Sequence, residues 1–256
     1  MNETSSVVEA DPFAPKVFDD ALPPSLLAAL ISAAGEMPHR TVSFWTDLRA
    51  TEPPLIAAVF SHLRALVDLP GLDADEAGVE WWVRRAPAYH FQSWHVDKDE
   101  ALFMSEQVVR CPAAATILYL GDAGGPTIVS SQVCAQDGSR LVPRRLERAW
   151  TVEPHLNRFV VCRGDAAHAV LPSRDHGQRV RTSMPINWWP SPTARNARLG
   201  AEVTDHPAVV ERMVREPPPE ASAWSPTRVA PRRWHASELP RPIEQRWPTW
   251  SPAPPA

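Results

Sequence analysis

Three residues of this 256-residue chain have the types and spacing that hold a metal ion. His95 and Asp97 are separated by one residue in the run SWHVDKDE, and His168 lies in GDAAHAVLP. The stretch around His95 reads as a strand, and residues two apart in a strand point to the same face. An imidazole and a carboxylate placed that way can reach one ion together, with His168 as the natural third ligand from elsewhere in the fold. Two histidines and one carboxylate on one face of an octahedron leave three open positions. That suits non-haem Fe(II), which needs room for a chelating cosubstrate and for O2. By itself H-x-D is a common tripeptide, and the residues after His168 give it weight. In HAVLPSRDHGQRVRTSM, Arg179, Arg181 and Ser183 alternate and so share a strand face. A guanidinium is the fitting partner for the far carboxylate of 2-oxoglutarate, because it stays charged and binds both oxygens in a fork.

The elements that must carry these residues are mainly β. Leu26, Leu27, Leu30 and Ile31 recur at helical spacing after a Pro-Pro-Ser start. A second helix presents Leu55, Ile56, Val59, Phe60, Leu63, Leu66 and Val67 on one face and is expected to stop at Pro70-Gly71. Both read as a supporting layer packed on a sheet. From residue 79 the pattern becomes a series of short strands: VEWWVRR, AYHFQSWHV, AATILYLG, PTIVSSQ, RAWTVEP, RFVVCRG, HAVLP and RVRTSMPINWW. Turn formers separate them, and residues 98–110 interrupt them as a loop or short helix. Many short strands at regular intervals predict a sandwich or barrel of the jelly-roll kind. The pairs Trp81-Trp82 and Trp188-Trp189 read as core and rim packing.

The expected organisation is therefore a mobile lead-in over 1–14, one domain over 15–189, and a Pro/Trp-rich extension over 190–256. In that extension Asp205–Arg215 can form one helix, and its tryptophans argue for partial packing on the domain. The formal charge of −4 gives no basic field for nucleic acid or an anionic membrane. No apolar run approaches the ~20 residues of a spanning helix. The start, MNETSSVVEADPF, is acidic and lacks a charged apolar leader, so a cytoplasmic location is expected. The 3 cysteines are scattered and not in C-x-x-C spacing, which fits a reducing compartment and argues against a thiolate zinc site.

Taken in order, these motifs resemble the prolyl-hydroxylase-like branch of the 2-oxoglutarate/Fe(II) dioxygenases. That family's H-x-D and distant His are matched by His95, Asp97 and His168, and its G-x-R by Gly177-Gln178-Arg179. Its Tyr-Leu-Asn-Asp and Gly-Gly-x-Thr resemble Tyr119-Leu120-Gly121-Asp122 and Gly124-Gly125-Pro126-Thr127. The opening VFDDALPPSLLAAL and the stretch VEPHLNRFVVCRGDAAHAV also resemble the family's, and the likeness runs from about Lys16 to Trp189. One departure precedes His95: where many relatives carry a Tyr and a Gly-rich turn, this chain has Arg84-Arg85-Ala86-Pro87-Ala88-Tyr89-His90.

The resemblance implies a double-stranded β-helix (jelly-roll) core. It also implies Fe(II) held by His95, Asp97 and His168, with 2-oxoglutarate and O2 as cosubstrates and ascorbate as a stimulant. Tyr119 would donate its hydroxyl to 2-oxoglutarate, and Arg179 would pair with the distal carboxylate. Arg181, followed by Thr182-Ser183, would supplement or replace Arg179. The implied reaction is hydroxylation, or another two-electron oxidation, of a small-molecule, amino-acid or peptidyl substrate, since related halogenases lack the carboxylate present here as Asp97. Two other classes share the strand pattern: a cupin-like binding protein without oxygenase activity, and a Zn(II)-dependent hydrolase or isomerase. The binding protein would need neither an arginine after the second histidine nor Tyr119, whereas ligand type does not separate iron from zinc.

Overall fold

The structure, a computed structural model, describes residues 11–37, 43–49, 55–69, 72, 76–135, 137–173, 179–193, 219 and 224–239. The first ten residues of the expected lead-in, the Pro70-Gly71 stop, Gly177-Gln178 and the expected helix over Asp205–Arg215 lie outside the described residues.

In chain order the elements are β1 (Lys16–Asp19), α1 (Pro24–Gly35), β2 (Phe44–Asp47), α2 (Leu55–Val67), β3 (Gly78–Trp81), β4 (Arg84–Pro87), β5 (Gln92–His95), α3 (Glu100–Glu106), β6 (Ala114–Tyr119), β7 (Thr127–Cys134), β8 (Leu141–Val142), β9 (Arg148–Val152), β10 (Phe159–Arg163), β11 (Ala166–Val170), β12 (Val180–Trp189), β13 (Thr227–Val229) and β14 (Arg232–His235). One antiparallel sheet runs β13-β1-β10-β6-β12-β3-β2, with β4 also paired to β12, and the other runs β14-β9-β7-β11-β5, with β8 on β7. The chain passes back and forth between β4, β6, β10 and β12 in the first and β5, β7, β9 and β11 in the second, staying in the second only from β7 to β9. This is the eight-strand double-stranded β-helix, the jelly roll expected from the strand pattern.

α1 and α2 cover the outer face of the larger sheet. From α1 come Leu26, Leu30, Ala33 and Ala34, and from α2 Leu55, Ile56, Val59, Phe60, Leu63 and Val67. They meet Trp81, Leu118, Phe159, Met184, Ile186 and Trp188 of the sheet in one cluster. Each such buried side chain contributes about 1.5–3 kcal/mol of transfer free energy. Of the four residues expected to form the apolar face of α1, Ile31 instead turns outward. Phe44 stacks on Trp81 at 4.7 Å, and Phe60 meets Trp81 and Trp188 edge-on at 6.1 Å. The two indole N–H groups donate to Thr46 and Thr116, each at 3.0 Å, so these plates are buried with their polar atoms satisfied.

Because side chains alternate across a strand, Trp81 and Trp188 facing the helices fixes the opposite assignment for their neighbours. Glu80, Trp82 and Arg84 on one side, and Arg181, Ser183, Pro185 and Asn187 on β12, face the interior between the sheets, where they line a cavity. The outer sheet face builds the core and the inner face builds the site.

After Trp224 the chain adds one strand to each sheet. β13 pairs with β1 and β14 pairs with β9, with two residues, Ala230 and Pro231, between them. The Trp234 indole donates to Thr151 at 2.9 Å, and Arg232 lies over its ring at 3.9 Å. No helix among the described residues is long and apolar enough to cross a membrane.

Candidate metal centre

His95 and His168 are direct cross-strand partners, β5 against β11. Their rings lie 4.3 Å apart between centroids. Asp97 completes the group, with one carboxylate oxygen 3.8 Å from His95 Nε2 and the other 3.8 Å from His168 Nε2. The ligand atoms all fall within 4.8 Å of one another, a set that one ion can bridge. The pairing of β11 shifts register on both sides of His168, against β7 before it and against β5 after it. Such bulges re-aim side chains at functional sites.

Strand alternation explains only part of this geometry. β5 ends at His95, so Asp97 lies just beyond it, in the turn into α3. That turn is fixed from the far side. The Asp99 carboxylate caps α3 by accepting from Leu102 N at 3.1 Å, and Asp99 N donates to Arg110 O at 2.8 Å. Val96 is buried in the core of the smaller sheet, which leaves His95 and Asp97 facing the cavity.

Both imidazoles are held in the tautomer that a metal ligand needs. His95 Nδ1 lies 2.8 Å from Ser93 O, and His168 Nδ1 lies 3.1 Å from Ala166 O. A carbonyl can only accept, so both Nδ1 atoms carry the proton and both Nε2 atoms are left as acceptors, each 3.8 Å from an Asp97 oxygen. Burial, reinforced by the neighbouring His168, pushes His95 down to about 4. It is therefore a neutral donor at neutral pH. The donor set of two imidazoles and one carboxylate fits Fe(II) and related divalent ions.

The centre opens into a cavity of ≈ 500 Å³ between the sheets. Arg181 lies in its wall, 5% exposed, with NH1 donating to Ser183 Oγ at 3.1 Å and NH2 to Thr127 Oγ1 at 3.2 Å. Its Nε has no partner, and no carboxylate among the described residues pairs with it. Two hydroxyls and the Tyr119 ring leave this buried cation without a balancing charge among the described residues. Gly124 makes room for it. At φ +110° this residue passes so close that an added Cβ would stand 2.5 Å from Arg181 Cδ.

Arg179, expected to be the first choice of anchor, is placed elsewhere. It precedes β12, is exposed and does not line the cavity. Tyr119 is fully buried behind the wall. Its hydroxyl is 2.7 Å from Thr127 Oγ1, and its ring lies under the Arg181 guanidinium at 5.2 Å. The structure thus brings His95, Asp97, His168, Arg181 and Ser183 around one space, sets Tyr119 behind them and leaves Arg179 outside. Sequence reasoning assigned no role to Thr127 or Gln92, which also line the space. Thr127 stood in the Gly-Gly-x-Thr motif and was the available signal. Gln92 had none.

No protein-family model matches the chain, and no curated protein is similar to it. Solved structures are. A prolyl-4-hydroxylase from Pseudomonas putida is 19% identical, with 69% of this chain and 84% of that one covered at a TM-score of 0.44. A 2OG-Fe(II) oxygenase family oxidoreductase from Burkholderia pseudomallei is 15% identical, with 70% and 85% covered at 0.45. HygX from Streptomyces hygroscopicus, solved with nickel and 2-oxoglutarate bound, is 13% identical, with 73% and 90% covered at 0.42.

Proposed function

We propose that the chain is an Fe(II)- and 2-oxoglutarate-dependent oxygenase that oxidises a C–H bond of a small-molecule, amino-acid or peptidyl substrate. One observation carries the reading: a two-histidine, one-carboxylate centre shares its cavity with a buried arginine that has no carboxylate of its own. A cupin-like binding protein would not need that arginine, and its burial costs stability. Ferrous iron bound by His95, Asp97 and His168 would supply O2 activation coupled to decarboxylation of the cosubstrate to succinate.

The chain's own residues do the rest. Arg181, in place of Arg179, receives the distal carboxylate. Val170 is the cross-strand partner of Thr127, which accepts from Arg181, and His168 is two residues farther along. Two residues of strand span about 7 Å, a reach that a five-carbon diacid covers. Ser183 and Thr127 aim the fork, and Tyr119 supports it from below through Thr127 and its ring face. Ser93 O and Ala166 O keep both imidazoles as Nε2 donors. Trp82, Ile117, Val170 and Pro185 give the cavity apolar wall that limits water.

The test is succinate formation by Fe(II)-loaded protein given 2-oxoglutarate, O2 and ascorbate, with pooled amino acids and cell extract as substrate sources. Turnover that disappears in Asp97→Ala is the expected result. Wild-type protein that forms no succinate, and that in calorimetry does not bind 2-oxoglutarate when metal-loaded, sinks the reading.

A further inference from the structure

The segment upstream of His95 that departs from the family's pattern brings a second cation, Arg84, to the site. It pairs across strands with Ser183, two residues from Arg181, and lines the same cavity. Its side chain donates to Gln92 Oε1, and no carboxylate among the described residues pairs with it. Burial and the charge of Arg181 both act to lower its pKa. Both arginines therefore line one cavity, and although Glu80, Asp97 and Glu100 line it too, no ion pair joins either arginine to a carboxylate among the described residues. A ligand with a carboxylate at each end can meet both guanidinium groups.

Gln92 shows which end of such an anion belongs to Arg84. Its amide nitrogen lies 3.0 Å from His95 Nε2. Since His95 Nδ1 carries the ring proton, Nε2 accepts from Gln92, so a metal ion and the Gln92 amide compete for the same lone pair. Metal held at His95 would displace the Gln92 amide from that nitrogen and, with it, the acceptor that Gln92 offers Arg84. A carboxylate bound at the metal meets that loss.

We infer that Arg84 binds the metal-side carboxylate of the cosubstrate while Arg181 binds the distal one, and that Gln92 holds Arg84 only until metal takes the His95 nitrogen. The inference rests on the oxygenase reading and adds a residue to it. It makes metal binding the step that releases Arg84, with Gln92 as the positioning residue between them.

Calorimetry on Ni(II)-loaded protein separates the two roles without turnover. The probes are 2-oxoglutarate and 2-oxopentanoate, which carries a methyl group in place of the distal carboxylate. Arg84→Gln should weaken both ligands by the same factor, about tenfold or more for a lost charge-assisted bond. Arg181→Gln should weaken 2-oxoglutarate alone. Gln92→Ala should tighten Ni(II) binding by removing the competing donor, with no change in the ratio of the two oxoacids. Unchanged binding of both oxoacids to Arg84→Gln, with its melting temperature intact, overturns the assignment, as does a loss confined to 2-oxoglutarate. Should Arg84→Gln fold poorly, Arg84→Lys serves in its place, with weakening of both ligands again expected. Wild-type protein that binds neither oxoacid overturns the oxygenase reading itself, whereas binding that depends on Arg181 but not on Arg84 overturns this assignment alone.

Discussion

Replacing Arg181 by methionine should move stability and ligand affinity in opposite directions. The guanidinium is 5% exposed, its Nε has no partner, and its other nitrogens have only the Ser183 and Thr127 hydroxyls. A buried cation so poorly compensated costs the unliganded fold, and an apolar side chain of similar volume relieves that cost by about 1–2 kcal/mol. For a domain of this size that is a rise in melting temperature of about 2–8 °C. Binding should respond the other way. Two charge-assisted hydrogen bonds to the distal carboxylate are worth at least about 3 kcal/mol together, so 2-oxoglutarate should bind the variant about 100-fold more weakly. Differential scanning fluorimetry without ligand and calorimetry on Ni(II)-loaded protein read the two effects. Arg181→Lys, which keeps the charge but not the fork, should fall between. A variant that melts lower and binds 2-oxoglutarate as the wild type does would show Arg181 to be a brace between Tyr119 and Thr127, and the functional argument would fail. Arg179→Met provides the contrast and should leave both quantities unchanged.

Three further expectations test the frame around the site. Gly124→Ala puts a Cβ 2.5 Å from Arg181 Cδ at φ +110°, so chemical denaturation should show a loss of about 1–3 kcal/mol and 2-oxoglutarate should bind more weakly. Phe60→Ala opens a hole between α2 and the two tryptophans it touches, and urea unfolding should show about 3–5 kcal/mol lost with metal affinity unchanged. Asp19 accepts from Arg158 Nε at 2.6 Å and NH2 at 2.8 Å, which holds its carboxyl below the ordinary range. A folded-state value below the unfolded one stabilises above the unfolded value and is lost as pH falls through the folded one. Asp19→Asn should therefore cost about 1 kcal/mol at pH 7 and nothing in strong acid, read from urea curves at the two pH values.

The jelly roll was legible because its strands announce themselves locally. RVRTSMPINWW is bounded by turn formers and alternates, and it became β12; residues 98–110 broke the alternation and became α3. The choice between the two arginines was not legible. Alternation puts Arg179 and Arg181 on one face only if the strand includes both. β12 begins at Val180, and Arg179, just ahead of it, is exposed. The hydroxyl of Tyr119 could be assigned to a ligand from sequence because nothing local reveals that Thr127 lies 2.7 Å away. The link from Arg84 through Gln92 to His95 had no signal at all, since it depends on β4, β5 and β12 meeting across the fold. The same holds for the Pro/Trp-rich extension. Composition describes it as extended with partial packing, and the pairing of β13 and β14 with strands far earlier in the chain is invisible to composition.

Those last two strands have a consequence for how molecules of this chain meet one another. Without them, β1 and β9 would each present a row of open N–H and C=O groups on the same side of the sandwich, a template on which a second copy could add its own strand. With them, the outermost edges there are three and four residues long, carry Arg228, Arg232 and Arg233, and are interrupted by Pro231, which has no N–H to offer. The extension thus leaves a second copy shorter and more charged edges to pair with than β1 and β9 would offer. A chain shortened at residue 223 should keep its metal centre and lose its solubility.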